Sequence, residues 1–322
     1  MSARVFVTGL GGELGTRVAL LLEQDRSVRA MAGIDLDPPR RRLRRTGFTR
    51  VDPRDRARTA AAIRAFRPTA VVHLGVYEPD ARCGPRAAQE RTAAAADAVL
   101  GAVAENPSIE SVVVRSGIEV YGRGRDAVTV PDESTALGPR SAFGRSLTRV
   151  EWRAGHAATA GAVVTVLRLA PVIGPHVPSP LGRYLRLPVV PFNALADPPF
   201  SVVHHEDAAR AIVTALLAKR PGTFNVVAPG AVTISQAARL GGRVPLPLAG
   251  PSWVVARRVA DLAGAPVPDH LVELLGRGRT ADGGRAEAVL GIVPATPTRE
   301  VVRRVHEWAP VTRLRVVPGD AA

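Results

Sequence analysis

Lysine is almost missing from this chain. Of 43 basic residues, one is lysine, Lys219, and 42 are arginine. Any chemistry that needs an ammonium group, whether Schiff base, P-loop cation or proton relay, must use Lys219 or be absent. Cysteine is as scarce: Cys83 stands alone, which excludes an intrachain disulfide and a thiolate zinc site. Aromatic residues make up 4% of the sequence, few for building stacking platforms for single-stranded nucleic acid. No apolar run reaches the ~18 residues of a membrane helix. The first eight residues run into a strand pattern without the apolar segment of a signal peptide. The expectation is a cytoplasmic protein with no membrane partner.

What is present suffices for a large core. The 322 residues are 46% hydrophobic and 22% charged, the balance of a globular chain, with a net charge of +14. Short β-branched runs at 4–8, 28–34, 48–51, 70–74, 111–115 and 163–169 read as strands. Between them, Leu14, Val18, Leu21 and Leu22 share one helix face, and 60–66, 87–104 and 143–158 have helical texture. The helix at 60–66 stops before Pro68, since the residue preceding proline disfavours the α region. This rhythm predicts an α/β fold, a Rossmann-like doubly wound parallel sheet with ligand at the carboxyl ends of its strands. The expected domain is 1–170, with 200–228 returning to it through a helix at 207–219 and a strand at 223–227. The Pro- and Gly-rich 171–199 and the segment 229–308 are expected to form a smaller α-rich substrate lobe, followed by a tail at 309–322.

The strongest local signal is the run from Val5 to Gly15, in which Gly9, Gly12 and Gly15 are spaced T-G-x-x-G-x-x-G between strand and helix. The first glycine permits the turn, the second lets backbone approach a pyrophosphate, and the third allows close packing of helix on strand. Glu13 and Leu14 open the helix, where free N–H groups face the anion. Asp35 follows Gly15 by twenty residues at the end of the second strand, placed to accept the ribose hydroxyls of NAD and to repel the 2′-phosphate of NADP. Residues 38–58 nevertheless hold nine arginines against two aspartates, beginning with Arg40, Arg41, Arg42, Arg44 and Arg45. Three readings stand for that cluster: a solvated basic loop, recognition of a 2′-phosphate as in NADP, or a site for an external polyanion.

Together these segments resemble the extended short-chain dehydrogenase/reductase superfamily, in its NAD-dependent epimerase/dehydratase branch. Similar to that family are the Asp52 turn from Val51 to Asp55, the strand end Val71-Val72-His73-Leu74-Gly75-Val76, and Ser116-Gly117-Ile118-Glu119-Val120-Tyr121-Gly122. The resemblance implies that Asp52 lies at the adenine and that Leu74 and Gly75 lie along the cofactor. It further implies a small-molecule substrate such as a nucleotide-sugar, and a homodimer paired through helices at 87–104 and 143–158. The family's Tyr-x-x-x-Lys, however, falls on Phe143 and Leu147, its Ser/Thr partner on Gly117, and its substrate-anchoring Asn on Pro171. The catalytic motif is therefore degenerate, and Ser116, Glu119 and Tyr121 remain as candidate catalytic residues.

Three functions follow from that balance. The first is an enzyme of epimerase/dehydratase type with a remodelled relay. The second is a cofactor-binding sensor or scaffold without turnover, and the third, less favoured, is an atypical RNA-binding member. Adjacent His204 and His205 resemble the family's structural helix start, so no metal is expected. His73 reads as a packed core histidine, and Trp152 with His156 as a core or interface pair.

Overall fold

Seven parallel strands form the centre of the computed structural model, which describes residues 3–52, 54–80, 83–249 and 267–307. The first half runs β1 (Ala3–Thr8), α1 (Glu13–Leu22), β2 (Val28–Asp35), β3 (Thr46–Arg50), α2 (Arg56–Phe66) and β4 (Ala70–His73). It continues with α3 (Pro85–Ala104), β5 (Ser111–Gly117), a 3-10 turn at Ile118–Tyr121, α4 (Ala142–Thr159) and β6 (Val163–Leu169). Next come β7 (Val172–Ile173), α5 (Pro180–Leu185), β8 (Val189–Asn193), β9 (Val203–His204), α6 (His205–Ala218) and β10 (Gly222–Val226). The remainder holds α7 (Ile234–Leu240), β11 (Val244–Leu248), α8 (Asp269–Arg277), α9 (Gly284–Leu290) and α10 (Thr298–Val305).

The strand order β10-β6-β5-β4-β1-β2-β3 reverses direction between β1 and β4. Crossovers diverge there and leave a crevice beyond the strand ends. Register decides what reaches it. Thr8 stands level with Ile34 on one side and His73 on the other, so Gly9, Asp35 and Leu74 emerge together at the carboxyl edge. Because both faces of the sheet are covered, β4 is buried at every position. One core lies beneath α1 and α6, and the other beneath α2, α3 and α4.

A third apolar cluster joins α5, α7, α8 and α10, with Phe200 and Tyr184 fully enclosed. This part was expected to be α-rich, yet it also carries two short parallel pairs, β8 with β11 and β7 with β9. The prolines of β11 hide it from a strand pattern; a two-stranded edge tolerates them because half its N–H groups face no partner. At the expected return strand, β10 pairs in parallel with β6. Helix α2 begins earlier than its apolar pattern suggests because the Asp55 carboxylate caps it, accepting the Arg58 N–H at 3.0 Å. The tail at 309–322 lies outside the described residues.

Candidate functional site

A cleft of about 310 Å³ opens at the carboxyl ends of β1, β2 and β4. The glycine loop forms its floor. Gly9 takes a left-handed φ of 78°, and a Cβ on Gly15 would collide with the Gly9 carbonyl oxygen. Gly12 differs: a Cβ there would meet only the Gly9 oxygen at 3.4 Å, ordinary contact, so the fold itself does not demand glycine. Its open side is the cleft, and no side chain caps the α1 N-terminus that follows. An uncapped helix start facing an open cleft offers free N–H groups to an anion.

Asp35 stands at the rim. Its carboxylate accepts the Gly11 N–H at 2.9 Å and the Leu36 N–H at 2.6 Å. Burial raises its pKa, while these N–H groups oppose the shift. Gly9, Gly12, Glu13, Leu14, Gly15, Asp35, Leu74 and Gly75 all line this one cleft, as the sequence suggested. Asp52 does not; it is held in an exposed bidentate pair with Arg54, with contacts of 2.6 and 3.0 Å. Among the clustered arginines, Arg40 lines the cleft. Arg44 and Arg45 instead donate backbone N–H groups to Glu23, and the Arg45 guanidinium caps carbonyls of Glu23 and Val28.

The candidate catalytic residues are placed elsewhere. Ser116 donates to Glu151 Oε1 at 2.5 Å, and Glu151 pairs with Arg168 at 2.7 Å. Arg168 in turn donates to the Tyr121 hydroxyl at 2.9 Å, and that hydroxyl donates to Asn225 Oδ1 at 2.8 Å. Burial raises the Tyr121 pKa, and its proton is committed to Asn225. Glu119 is buried against Arg279, 2.9 Å away, and Arg279 also reaches Glu273 at 3.3 Å. A side chain on Gly117 would strike the Glu119 carboxylate, so the glycine and the glutamate go together. None of Ser116, Glu119 and Tyr121 lines the cleft.

Phe143 and Leu147 are buried on α4 and supply neither hydroxyl nor charge. Lys219 pairs with Glu110 at 2.7 Å, just before β5 begins. That is the amino end of the sheet, about 20 Å of strand from the cleft.

Several cleft residues carried no motif. Tyr77, Glu78, Arg91 and Arg115 line it beside Val76. Burial raises the Tyr77 pKa, helped by the Asp35 charge, and burial lowers that of Arg115 against the pull of Glu78 and Glu119. Glu78 Oε1 lies 3.0 Å from Nε2 of His270, which reaches over from α8. The Phe143 ring packs on that imidazole, centroids 4.9 Å apart. Sequence separation hid this contact, since the partners stand 192 positions apart. Burial works to deprotonate His270, but Asp269 and Glu78 outweigh it and hold the pKa at about 9.

His73 Nδ1 lies 2.8 Å from the Thr8 hydroxyl, and full burial lowers its pKa to about 4. His204 and His205 stack on each other at 4.4 Å. No group of three or more candidate ligands among the described residues is arranged to hold a metal. Trp152 is 56% exposed, which removes the core reading of that residue, and it stacks with His156 on the outer face of α4. Among the described residues no helix is long and apolar enough to cross a membrane.

Comparison with known proteins agrees with this architecture. A solved structure of UDP-glucose 4-epimerase from Thermotoga maritima with UDP-glucose superposes with a TM-score of 0.73 at 19% identity, covering 95% of this chain and 98% of that one. The structure of MoeE5 in complex with UDP-glucuronic acid and NAD gives 0.72 at 23% identity, with the same coverage. In sequence, the chain is 32% identical over 318 residues to Uncharacterized protein Rv0501 of Mycobacterium tuberculosis, spanning 92% of this chain and 81% of that protein. The model of the NAD dependent epimerase/dehydratase family matches residues 5–227, which include the glycine loop, Asp35 and all but the first two residues of the seven-stranded sheet, and the chain belongs to that family.

Proposed function

We propose that this chain binds NAD in the β1–β4 cleft and acts there on a nucleotide-sugar, without the tyrosine and lysine its relatives use. The observation that carries the reading is the pairing of an uncapped, open α1 N-terminus at Gly12 with Asp35 across the same cleft. The two features suit opposite ends of one ligand, an anionic pyrophosphate and a ribose diol. When bound, NAD supplies a hydride acceptor. Gly9, Gly12 and the first turn of α1 hold its diphosphate, Asp35 its adenosine ribose, and Leu74 and Gly75 flank it. Asp35 selects against a 2′-phosphate, so NADP is the weaker ligand, and Arg40 at the rim faces solvent as well as the cleft.

The substrate class draws support from structures of the same fold that hold UDP-glucose or UDP-glucuronic acid. Thermal-shift and calorimetric titration with NAD, NADP, UDP-glucose, UDP-glucuronic acid and dTDP-glucose tests both parts. Stabilisation by NAD and by at least one nucleotide-sugar is expected; no response to NAD would remove the reading. A second reading, a dinucleotide-binding sensor without turnover, is favoured by one feature. Ser116, Glu119 and Tyr121 are all consumed in closed buried networks.

A further inference from the structure

Of the carboxylates that line the cleft, Glu13, Asp35, Asp37, Glu78 and Asp80, Glu78 is the one paired with a buried imidazole. Glu78 follows β4 and lines the cleft beside Val76 and Tyr77, with its side chain 26% exposed. Its Oε1 is held by His270 at 3.0 Å, and among the described residues Oε2 has no hydrogen-bond partner. A carboxylate with one oxygen anchored and one turned loose at a ligand cleft is the geometry of a general base.

The anchor is itself rigid. Asp269 Oδ2 accepts the Ala142 N–H at 2.6 Å, tying the start of α8 to the start of α4. Asp269 Oδ1 accepts the His270 N–H at 2.8 Å and lies 3.7 Å from Nδ1 of its ring. Phe143 covers one side of the imidazole, and Arg279 donates to the His270 carbonyl at 3.2 Å. Around this pair stand Asp269 and Glu273 on α8, Glu119 on the 3-10 turn, Arg279 beyond α8, and Arg115 on β5. Asp269, Glu78 and Glu119 favour the proton on His270 against the effect of burial.

We propose that Glu78 is the proton-transferring catalytic residue of this cleft and that His270 is the positioning residue that keeps it aimed. The proposal rests on the reading of the cleft as a dinucleotide site. In oxidation of a substrate alcohol, the O–H proton passes to Glu78 Oε2 while the carbon becomes a carbonyl and gives its hydride to the oxidised nicotinamide. On reduction the same proton returns. His270 keeps its own proton throughout and holds Glu78 Oε1, leaving Oε2 toward the cleft.

The test uses the full chain with NAD and UDP-glucose, UDP-galactose, UDP-glucuronic acid or dTDP-glucose, following 340 nm absorbance and sugar products. Glu78→Gln should lower turnover by ~10²–10⁴-fold, the span of a lost general base. Glu78→Asp should recover part of that loss, and His270→Gln should move the acid limb of the pH profile to higher pH. Calorimetric NAD affinity should stay within about threefold in all three variants, on the order of 0.7 kcal/mol. Independently of turnover, the His270 imidazole resonances of the unliganded protein should titrate near pH 9, and more than one unit lower in Glu78→Gln. Unchanged turnover in Glu78→Gln, an unmoved His270 titration, or no turnover by a protein that binds NAD and these sugars would each overturn the relay. Failure of the wild-type protein to bind NAD would instead overturn the reading of the cleft.

Discussion

Replacing Gly12 by alanine separates a glycine kept for the ligand from one kept for the fold. Gly12 has φ −67° and ψ 159°, values open to alanine, and the added methyl would meet only one oxygen at 3.4 Å. Alanine restricts the unfolded chain but is a poorer N-cap, so the two effects should cancel to within ~0.5 kcal/mol. The methyl would stand where the diphosphate approaches, at a cost of ~1.4–2.7 kcal/mol, or 10- to 100-fold in affinity. NAD at 100 Kd stabilises the wild type by ~2.7 kcal/mol. With an unfolding entropy of ~2.1 cal/mol/K per residue over 322 residues, that is a rise in Tm of about 4 °C. At the same NAD concentration a hundredfold weaker variant keeps ~0.4 kcal/mol, less than 1 °C. Differential scanning fluorimetry with and without NAD reads both numbers. A Gly12→Ala protein that keeps the full shift would refute the placement of the anion. One that melts several degrees lower without ligand would show that the fold needs this glycine.

Gly15→Ala should behave oppositely, losing ~1–3 kcal/mol of stability in urea titration because its methyl collides with the Gly9 carbonyl. Arg279→Met should cost ~3–5 kcal/mol by leaving the buried Glu119 and Glu273 uncompensated, again read by urea titration. Stability should peak near pH 6.5. His270, raised to about 9 by Asp269 and Glu78 against the effect of burial, contributes fully below 6.5 and loses its contribution as pH rises through 9. His73 and His205, lowered by burial to about 4 and 3, withdraw stability as pH falls below 6.5. Melting scans from pH 4 to 10 should show both limbs, with the alkaline limb reduced in His270→Gln. Lys219→Ala should leave NAD affinity unchanged, since Lys219 pairs with Glu110 at the far end of the sheet; a tenfold loss in calorimetry would contradict that placement.

The sheet was legible in the sequence because burial on both faces writes continuous apolar runs, as in the four fully buried residues of β4. The dinucleotide loop was legible because steric demand fixes glycine at 9 and 15 and the strand register fixes Asp35 beside it. The edge strand β3 was legible only in part, read at 48–51 where it spans Thr46–Arg50, and the proline-bearing β11 was not, since it carries no one-face apolar pattern. Missing tyrosine and lysine were visible as absences. What stands near them was hidden, because the Glu78–His270 pair joins a loop after β4 to a helix almost two hundred residues later. Ser116 and Tyr121 show the converse: their motif is plain in sequence, yet their hydroxyls point into a buried network with Glu151, Arg168 and Asn225. Only side-chain direction separates a motif that reaches the cleft from one that braces it.

Asp35 decides which dinucleotide the cleft takes, and calorimetric titration of the intact chain with NAD and NADP tests its role most directly. NAD should bind, NADP at least tenfold more weakly by ~1.4 kcal/mol, and Asp35→Ala should narrow that preference. NAD affinity should also fall in acid, because burial raises the Asp35 pKa and only the carboxylate accepts both hydroxyls. Equal or tighter binding of NADP, or NAD affinity indifferent to Asp35→Ala, would contradict the account.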